Sequence, residues 1–317
     1  KFVLINLGEP YSTFSEIIGK YLKKNKKYKK KIVLIGNVKL FNSQLKKLNY
    51  FIKINLINNI NEARNNVVNM IDIPFKFKKI FTKISSKSNK YLERSFKESL
   101  KLLKQNKGEI LFINGPISKK TFLNKKYYGI TEYLSQKTQS KKTAMLIYNN
   151  KISVTPLTTH IPIKYVSKKI NKNIIYNNVK IISKFYKKNF KKKINIAVLG
   201  LNPHCETIDK YSEEDKIIKP TIKFLNKKGF NLDGPFSTDT FFLKKNLNKY
   251  DVVLGMYHDQ VITPLKTLFN FNAINITVGL PFIRISPDHG PNSDMLGKNK
   301  SDPSSFIYAM KFAEKLN

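Results

Sequence analysis

The chain contains four histidines, His160, His204, His258 and His289. Three of them lie just beyond short apolar runs. His160 closes Leu157-Thr158-Thr159-His160, His204 closes Gly200-Leu201-Asn202-Pro203-His204, and His258 opens His258-Asp259-Gln260 after Asp251–Met256. Three neutral imidazoles at one end of a sheet suit Zn²⁺ or another borderline divalent ion, which can polarise a substrate hydroxyl or carbonyl. Asp259, and Asp239 in Gly234-Pro235-Phe236-Ser237-Thr238-Asp239-Thr240, can orient such ligands or join them. Asp239 fits equally well as the N-cap of a helix that follows. Cys205 adjoins His204 and reads as a bystander, because neighbouring residues rarely both face one metal.

Arginine gives a second lead. Only Arg64, Arg94 and Arg284 occur, against a large excess of lysine. Arg284 follows a Gly279-Leu280-Pro281 turn, and its planar guanidinium suits a carboxylate or phosphate, with a structural ion pair as the alternative. From Asp251 to Asp302 lysine thins out and specific polar residues gather: Tyr257–Gln260, Lys266, Asn275, Arg284 and Ser286-Pro287-Asp288-His289-Gly290.

These residues need elements to position them. The 317 residues suffice for about two domains at ~150 residues each, or one large α/β unit. Apolar runs predict strands over Lys1–Leu7, Lys31–Asn37, Glu109–Asn114, Thr143–Tyr148, Ile152–Pro156, Ile194–Leu199, Asp251–Met256 and Ala273–Val278. Amphipathic spacing predicts helices over Ser15–Lys23, Ser88–Lys104, Lys164–Lys188, Glu213–Asn226 and Ser304–Leu316. Strand alternating with helix implies an α/β fold with a mostly parallel sheet, whose ligands sit in the loops after the strands. No Ser/Gly/Pro linker marks a boundary, so a second domain is expected to be interwoven with the first.

The composition narrows the function classes. Lys+Arg number 59 and Asp+Glu 21, so 59 − 21 gives a formal net charge of +38, which raises a nucleic-acid reading. Against it, the lysines concentrate in runs such as Lys23–Lys27, Lys29–Lys31 and Lys191–Lys193, between apolar segments, and arginine for reading bases is scarce. Lys, Asn and Ile all have AT-rich codons, so base bias accounts for the excess, and no specific nucleic-acid partner is expected. A hydrophobic content of 41% and 13 Gly with 13 Pro argue for a packed core over a disordered basic tail. A single cysteine excludes a disulfide framework. No run reaches the ~20 apolar residues of a membrane span. Lys1–Gly8 is too short for a signal peptide, and the absent initiator Met indicates a trimmed or partial start. A soluble cytoplasmic protein is expected.

Leu157–Pro162, Gly200–His204, Gly234–Thr240, Asp251–Gln260 and Asn275–Gly297 together resemble the motifs of the 4-hydroxythreonine-4-phosphate dehydrogenase family of pyridoxal phosphate biosynthesis, within the isocitrate/isopropylmalate dehydrogenase-like superfamily. The resemblance runs from Gly8 to the C-terminus. It implies two interwoven α/β/α domains with the active site in the cleft between them. The first would comprise 1–129 plus 275–317 on the cofactor side, and the second 130–274 on the metal and dimer side. It further implies His160, His204 and His258 as ligands of a divalent Zn, Mg or Co ion, with Thr131, Lys266, Asn275 and Arg284 as substrate contacts. Lys266, Asp259 and Asp239 become the candidate catalytic groups. His289, Gly290, Asp294 and Gly297 are similar to the adenosine-side loop of the superfamily and are assigned to NAD or NADP. The implied reaction is oxidation and decarboxylation of 4-phosphooxy-L-threonine to 3-amino-2-oxopropyl phosphate, by a homodimer with its active site at the interface.

Two departures from the pattern, and a smaller third, set this chain apart. Ile130 stands where the family has a histidine before Thr131-Glu132. The loop Gly8-Glu9-Pro10-Tyr11-Ser12-Thr13-Phe14-Ser15-Glu16 lacks the family's small residues, and Cys205-Glu206 replaces small residues after His204. The loss at Ile130 leaves room for a sister substrate, a 4-phosphorylated threonate or erythronate. A basic nucleic-acid-binding protein and a decayed, inactive copy are the remaining alternatives.

Overall fold

The structure, a computed structural model, describes all residues except 124, 125, 128, 208–210, 271, 272, 288 and 317. Asp288 of the expected dinucleotide loop therefore lies outside the described residues. The chain forms two compact units, Lys1–Ser140 with Leu280–Asn317, and Lys141–Gly279. The first is discontinuous in sequence, so the chain leaves it and returns.

Strands β1 (Phe2–Asn6), β2 (Lys31–Gly36), β3 (Ile54–Leu56), β4 (Val68–Asp72) and β5 (Ile110–Asn114) belong to the first unit. The second holds β6 (Ala144–Tyr148), β7 (Ser153–Thr158), β8 (Asn195–Leu199), β9 (Asn231–Phe236), β10 (Val252–Tyr257) and β11 (Ile274–Val278), and β12 (Ile283–Ser286) returns to the first. In the first unit the order is β3-β4-β2-β1-β5-β12, every pairing parallel, with Phe2 in register with both Lys31 and Ile110. In the second, β7, β10, β8 and β9 run parallel, and β6 is antiparallel to both β7 and β11. Strand β5, Ile-Leu-Phe-Ile-Asn, is buried throughout, the mark of a parallel strand covered on both faces. Both units are thus α/β, as the alternation predicts.

Each unit has its own core. In the first, Leu4, Val33, Ile35, Phe112 and Leu92 pack with Phe96 from the helix Asn89–Gln105. In the second, Val154, Ala197, Leu199 and Val253 pack with Val261 and Leu265 from the helix His258–Phe269. Burying such a side chain contributes roughly 1.5–3 kcal/mol. The lysine runs fall where the sequence puts them: Lys23 and Lys24 end the helix Phe14–Lys24, and Lys191 caps the helix Lys172–Phe190 in a left-handed conformation. No helix among the described residues is long and apolar enough to cross a membrane.

All eight predicted strands form, with ends shifted by one or two residues. Strands β3, β4, β9 and β12 are additional; β9 includes Gly234-Pro235, a pair that reads as a turn in sequence. The single helix predicted over Lys164–Lys188 is broken. A 3₁₀ turn at Ile163–Tyr165 and a short turn Val166–Lys169 precede Lys172–Phe190, because the Asn171 side chain accepts the Ile174 N–H and starts a new helix. Helices Val38–Lys47, Ile130–Lys137 and His258–Phe269 also go beyond the sequence reading, the last despite Pro264 in its interior.

Candidate functional site

In the second unit, Val252 of β10 pairs with Ser153 of β7 and Ile196 of β8, so the three strands end at one level. Thr158 Oγ1 donates to Met256 O at 2.8 Å and ties two of those ends together. His160 lies two residues past β7, and His258 is the first residue after β10, on the first turn of a helix where sequence placed a loop. Their ring centroids are 6.2 Å apart. His258 Nδ1 is 2.6 Å from Asp259 Oδ1, a contact that leaves Nε2 as the ring's other nitrogen.

His204 follows β8 in a short turn, with φ +55° and ψ +12°, a left-handed conformation uncommon outside glycine, though His is among the side chains that adopt it more often. Its Nδ1 stands 3.6 Å from Asp239 Oδ2, both side chains being exposed. The Ser237 hydroxyl holds the Asp239 carboxyl below the usual range, aided by the Thr240 N–H and the His204 ring. Asp239 is not the N-cap: Ser237 holds that position before Thr238–Phe241, and Asp239 sits in the first turn. Cys205 is half-buried, its thiol raised first by burial and then by the nearby Glu214 carboxylate. Among the described residues no three His, Cys, Asp or Glu side chains are gathered closely enough to hold a metal ion. The fold brings His160 and His258 together and sets His204 with Asp239.

Two residues to which the sequence assigns no role of their own organise this end of the unit. Gln260 accepts the Met256 N–H at 2.6 Å and donates to Gly200 O at 2.7 Å and Thr238 Oγ1 at 2.9 Å, joining the starts of three loops. Buried Glu214 accepts the N–H groups of Leu201 and Asn202 at 2.7 and 2.9 Å and the Asn202 amide at 2.8 Å. Burial pushes that carboxyl up, but these donors outweigh it and leave it below its ordinary range. The Ser212-x-Glu214 spacing at a helix start was the available signal for Glu214. Lys266 is exposed on the helix His258–Phe269, and the Oδ1 of Asn275 on β11 is buried without a hydrogen-bond partner.

In the first unit, Arg284 is not on a loop. It lies within β12 and is 1% exposed, among the largest fully buried side chains described. Its Nε donates to Asn114 Oδ1 at 2.7 Å and its Nη1 to Thr131 Oγ1 at 2.9 Å. Burial lowers its pKa to about 10, opposed by the Glu132 carboxylate, so it remains a cation at neutral pH. Thr131 is presented by the first turn of the helix Ile130–Lys137, and Asn114 by the last residue of β5. Asn114 ends the predicted strand Glu109–Asn114, and an amide finishing an apolar run signals a buried polar contact.

A cleft of about 410 Å³ opens beside this cluster, lined by Phe14, Asn114, Gly115–Lys120, Ile130, Ser286, Pro287 and His289–Pro291. His289 and Gly290 of the expected dinucleotide loop face it, together with two lysines, Lys119 and Lys120, and the departure Ile130. Asp294 and Gly297 do not line it. Asp294 is exposed in the turn Ser293–Met295, and Gly297, at φ +76°, packs on Phe81.

Residues 28–313 match the family model described as pyridoxal phosphate biosynthetic protein PdxA. The chain is 37% identical, over 98% of its length and 96% of the relative's, to a 4-hydroxythreonine-4-phosphate dehydrogenase of Sulfurihydrogenibium sp.. It is 31% identical, over 100% and 99%, to a D-threonate 4-phosphate dehydrogenase of Salmonella typhimurium. The solved 4-hydroxythreonine-4-phosphate dehydrogenase of Klebsiella pneumoniae superposes with a TM-score of 0.86 at 27% identity, covering 99% and 98% of the two chains. Isocitrate dehydrogenase of Methylococcus capsulatus, at 7% identity and a TM-score of 0.50 over 99% of this chain and 84% of that one, shares the fold alone. By family model, by identity across its whole length and by fold, the chain belongs to the PdxA family of pyridoxal phosphate biosynthetic proteins.

Proposed function

We propose that the protein is a dehydrogenase that oxidises 4-phosphooxy-L-threonine with NAD or NADP and releases CO₂, giving 3-amino-2-oxopropyl phosphate. The carrying observation is that the chain matches the Sulfurihydrogenibium enzyme over nearly its full length and retains a buried cation, Arg284, pinned by Asn114 and Thr131. A nicotinamide, when bound, would supply the hydride acceptor for the substrate's secondary alcohol, whose hydroxyl proton would pass to the site; the resulting β-keto acid would lose CO₂ and the product would take up a proton.

The chain's residues have separable roles in this reading. Arg284 and Lys266 hold the substrate's anionic ends, the first through a preset guanidinium plane and the second as a point charge. The buried Oδ1 of Asn275 accepts from the substrate ammonium or hydroxyl, which satisfies an otherwise orphaned acceptor. Asp259, at His258 Nδ1, would orient that ring and leave Nε2 for a ligand. His289 and Gly290 receive the dinucleotide in the first-unit cleft, where Lys119 and Lys120 favour its phosphates.

In this reading His160, His204 and His258 would hold a divalent metal, although among the described residues of the single chain they are not gathered closely enough to do so. The imidazoles of His258 and His204 are each backed at Nδ1 by a carboxylate, a donor set suited to Zn²⁺ or Co²⁺ ahead of oxygen-seeking Mg²⁺. Such an ion, if bound, would supply Lewis acidity toward the substrate hydroxyl. Among the described residues, five of the seven large exposed hydrophobic ones, Ile163, Tyr165, Tyr211, Leu243 and Leu268, belong to the second unit, which supports a homodimer built on that side. The lone cysteine fits a cytoplasmic setting.

One observation favours a second reading, the same chemistry on D-threonate 4-phosphate: Ile130 removes a polar group from the cleft. NADH formation with each substrate, with and without chelator, in wild type and His204→Ala decides between them. Chelator-sensitive turnover of 4-phosphooxy-L-threonine is expected. Its absence sinks the first reading, and turnover of the amine-free substrate alone establishes the second.

A further inference from the structure

The N-terminal turn Gly8–Thr13 serves both walls of the first-unit cleft. On one side the Glu9 N–H donates to Pro116 O at 2.8 Å, and the Gly115 N–H donates to Asn6 O at 2.7 Å. A Cβ on Gly8 would stand 2.4 Å from Pro116 O, and one on Gly115 2.4 Å from Leu7 O, so the two turns close on each other with no room for a side chain. On the other side the Thr13 N–H donates to Pro291 O at 3.2 Å, beside Gly290. Phe14 then lines the cleft itself. Any displacement of this turn moves both walls.

Glu9 holds the turn. It is 1% exposed, and Ser88 Oγ lies 3.0 and 3.2 Å from its two carboxylate oxygens. Ser12 Oγ donates to the Glu9 carbonyl at 2.8 Å. We propose that Glu9 is a positioning residue for the cleft: clamped by Ser88, it holds the Gly8–Thr13 turn against Pro116 and Pro291 and so sets the width open to the dinucleotide. The identity of the occupant rests on the functional reading above; the mechanical link does not.

The surroundings of Glu9 make this link sensitive to pH. Burial raises its carboxyl to about 7, against the Ser88 hydroxyl and Tyr11 N–H that lower it. The titratable groups facing it are Tyr11 in its own turn and Tyr91 from the helix Asn89–Gln105; burial raises both phenols, and the Glu9 charge adds to the shift, so both stay neutral. Gln44 from the helix Val38–Lys47 and Asn37 are uncharged, and Asp72 at the end of β4 is engaged by the Val38 N–H at 2.8 Å. Among the described residues lining the small cavity beside Glu9 there is no lysine or arginine. An ionised Glu9 is therefore carried by hydrogen bonds alone, and opening the turn to water relieves it.

The test compares wild type, Glu9→Gln and Glu9→Ala from pH 6 to 8.5, by hydrogen exchange of residues 115–120, corrected for intrinsic rates, and by KM for NAD against kcat. In wild type, protection falls several-fold and KM rises as pH passes 7, while kcat moves little. Glu9→Gln keeps the clamp and flattens both profiles; Glu9→Ala loosens the segment at every pH. Wild-type protection and KM in Glu9→Ala, or an unchanged pH profile in Glu9→Gln, overturns the proposal. Should Glu9→Ala not fold, the Glu9→Gln profile decides. Should no form reduce NAD, the functional reading fails and the exchange measurement still judges Glu9.

Discussion

Arg284 and Thr131 are hydrogen-bonded to each other, Nη1 to Oγ1 at 2.9 Å, across 153 residues of sequence. Both were expected as separate substrate contacts, and the structure makes them one unit, with Asn114 as the third member. The threonine thus acts partly by fixing the plane of the guanidinium, which a lysine cannot reproduce.

Replacing Arg284 by Lys keeps the charge and loses the fork. A fall in kcat/KM of roughly 100-fold is expected, with about 10-fold for Thr131→Ala. The double variant should resemble Arg284→Lys alone, because Thr131 then has nothing to orient. Steady-state kinetics on the three variants checks this, and additive losses would show that Thr131 contacts substrate independently.

Ile130 and Thr131 are adjacent on the first turn of one helix, and Ile130 faces the cleft. Ile130→His restores a polar group there. It should raise the ratio of kcat/KM for 4-phosphooxy-L-threonine over D-threonate 4-phosphate several-fold, in line with one added hydrogen bond of about 1 kcal/mol. An unchanged ratio places substrate discrimination elsewhere.

Gly8 and Gly108 both have positive φ, +68° and +81°, but only Gly8 is enclosed. Gly108→Ala meets nothing within 4 Å, so it carries only the backbone cost, about 1 kcal/mol. Gly8→Ala adds a clash with Pro116 O and should cost roughly 2–4 kcal/mol. Denaturant midpoints for the two variants give the comparison; equal shifts would mean that the interlocked turns relax freely.

Glu9 also leaves a mark on stability. Its folded pKa of about 7 lies above the ordinary 4.5, so the unfolded chain ionises first as pH rises. The contribution to stability is fully present below pH 4.5 and is lost as pH climbs through 7, by roughly 3 kcal/mol in all. Glu9→Gln should remove that slope, leaving a flatter dependence of unfolding free energy between pH 5 and 8. A slope identical to wild type would show that Glu9 is ionised in the fold.

The periodicity of the apolar runs was enough to identify the α/β class and eight of the strands, since parallel strands buried on both faces read as unbroken hydrophobic segments. The same reading missed β3 and β4, which are short and interrupted by Asn, and β9, whose Gly234-Pro235 resembles a turn. It also fused Lys164–Lys188 into one helix, because the restart at Asn171 depends on a side-chain cap that spacing does not reveal.

By itself the sequence determined which residues were available for chemistry. Three histidines after strands, and one arginine in a lysine-rich chain, stand out because their types are scarce. Tertiary structure alone decided how they are used. It paired His160 with His258, set His204 beside Asp239, and buried Arg284 between Asn114 and Thr131. It also gave supporting roles to Gln260, Glu214 and Glu9, to which the sequence by itself assigned none. The reason is physical: a side chain's type fixes what it can donate or accept, whereas burial and the partner across the fold, often more than a hundred residues away, fix its charge, its direction and its role.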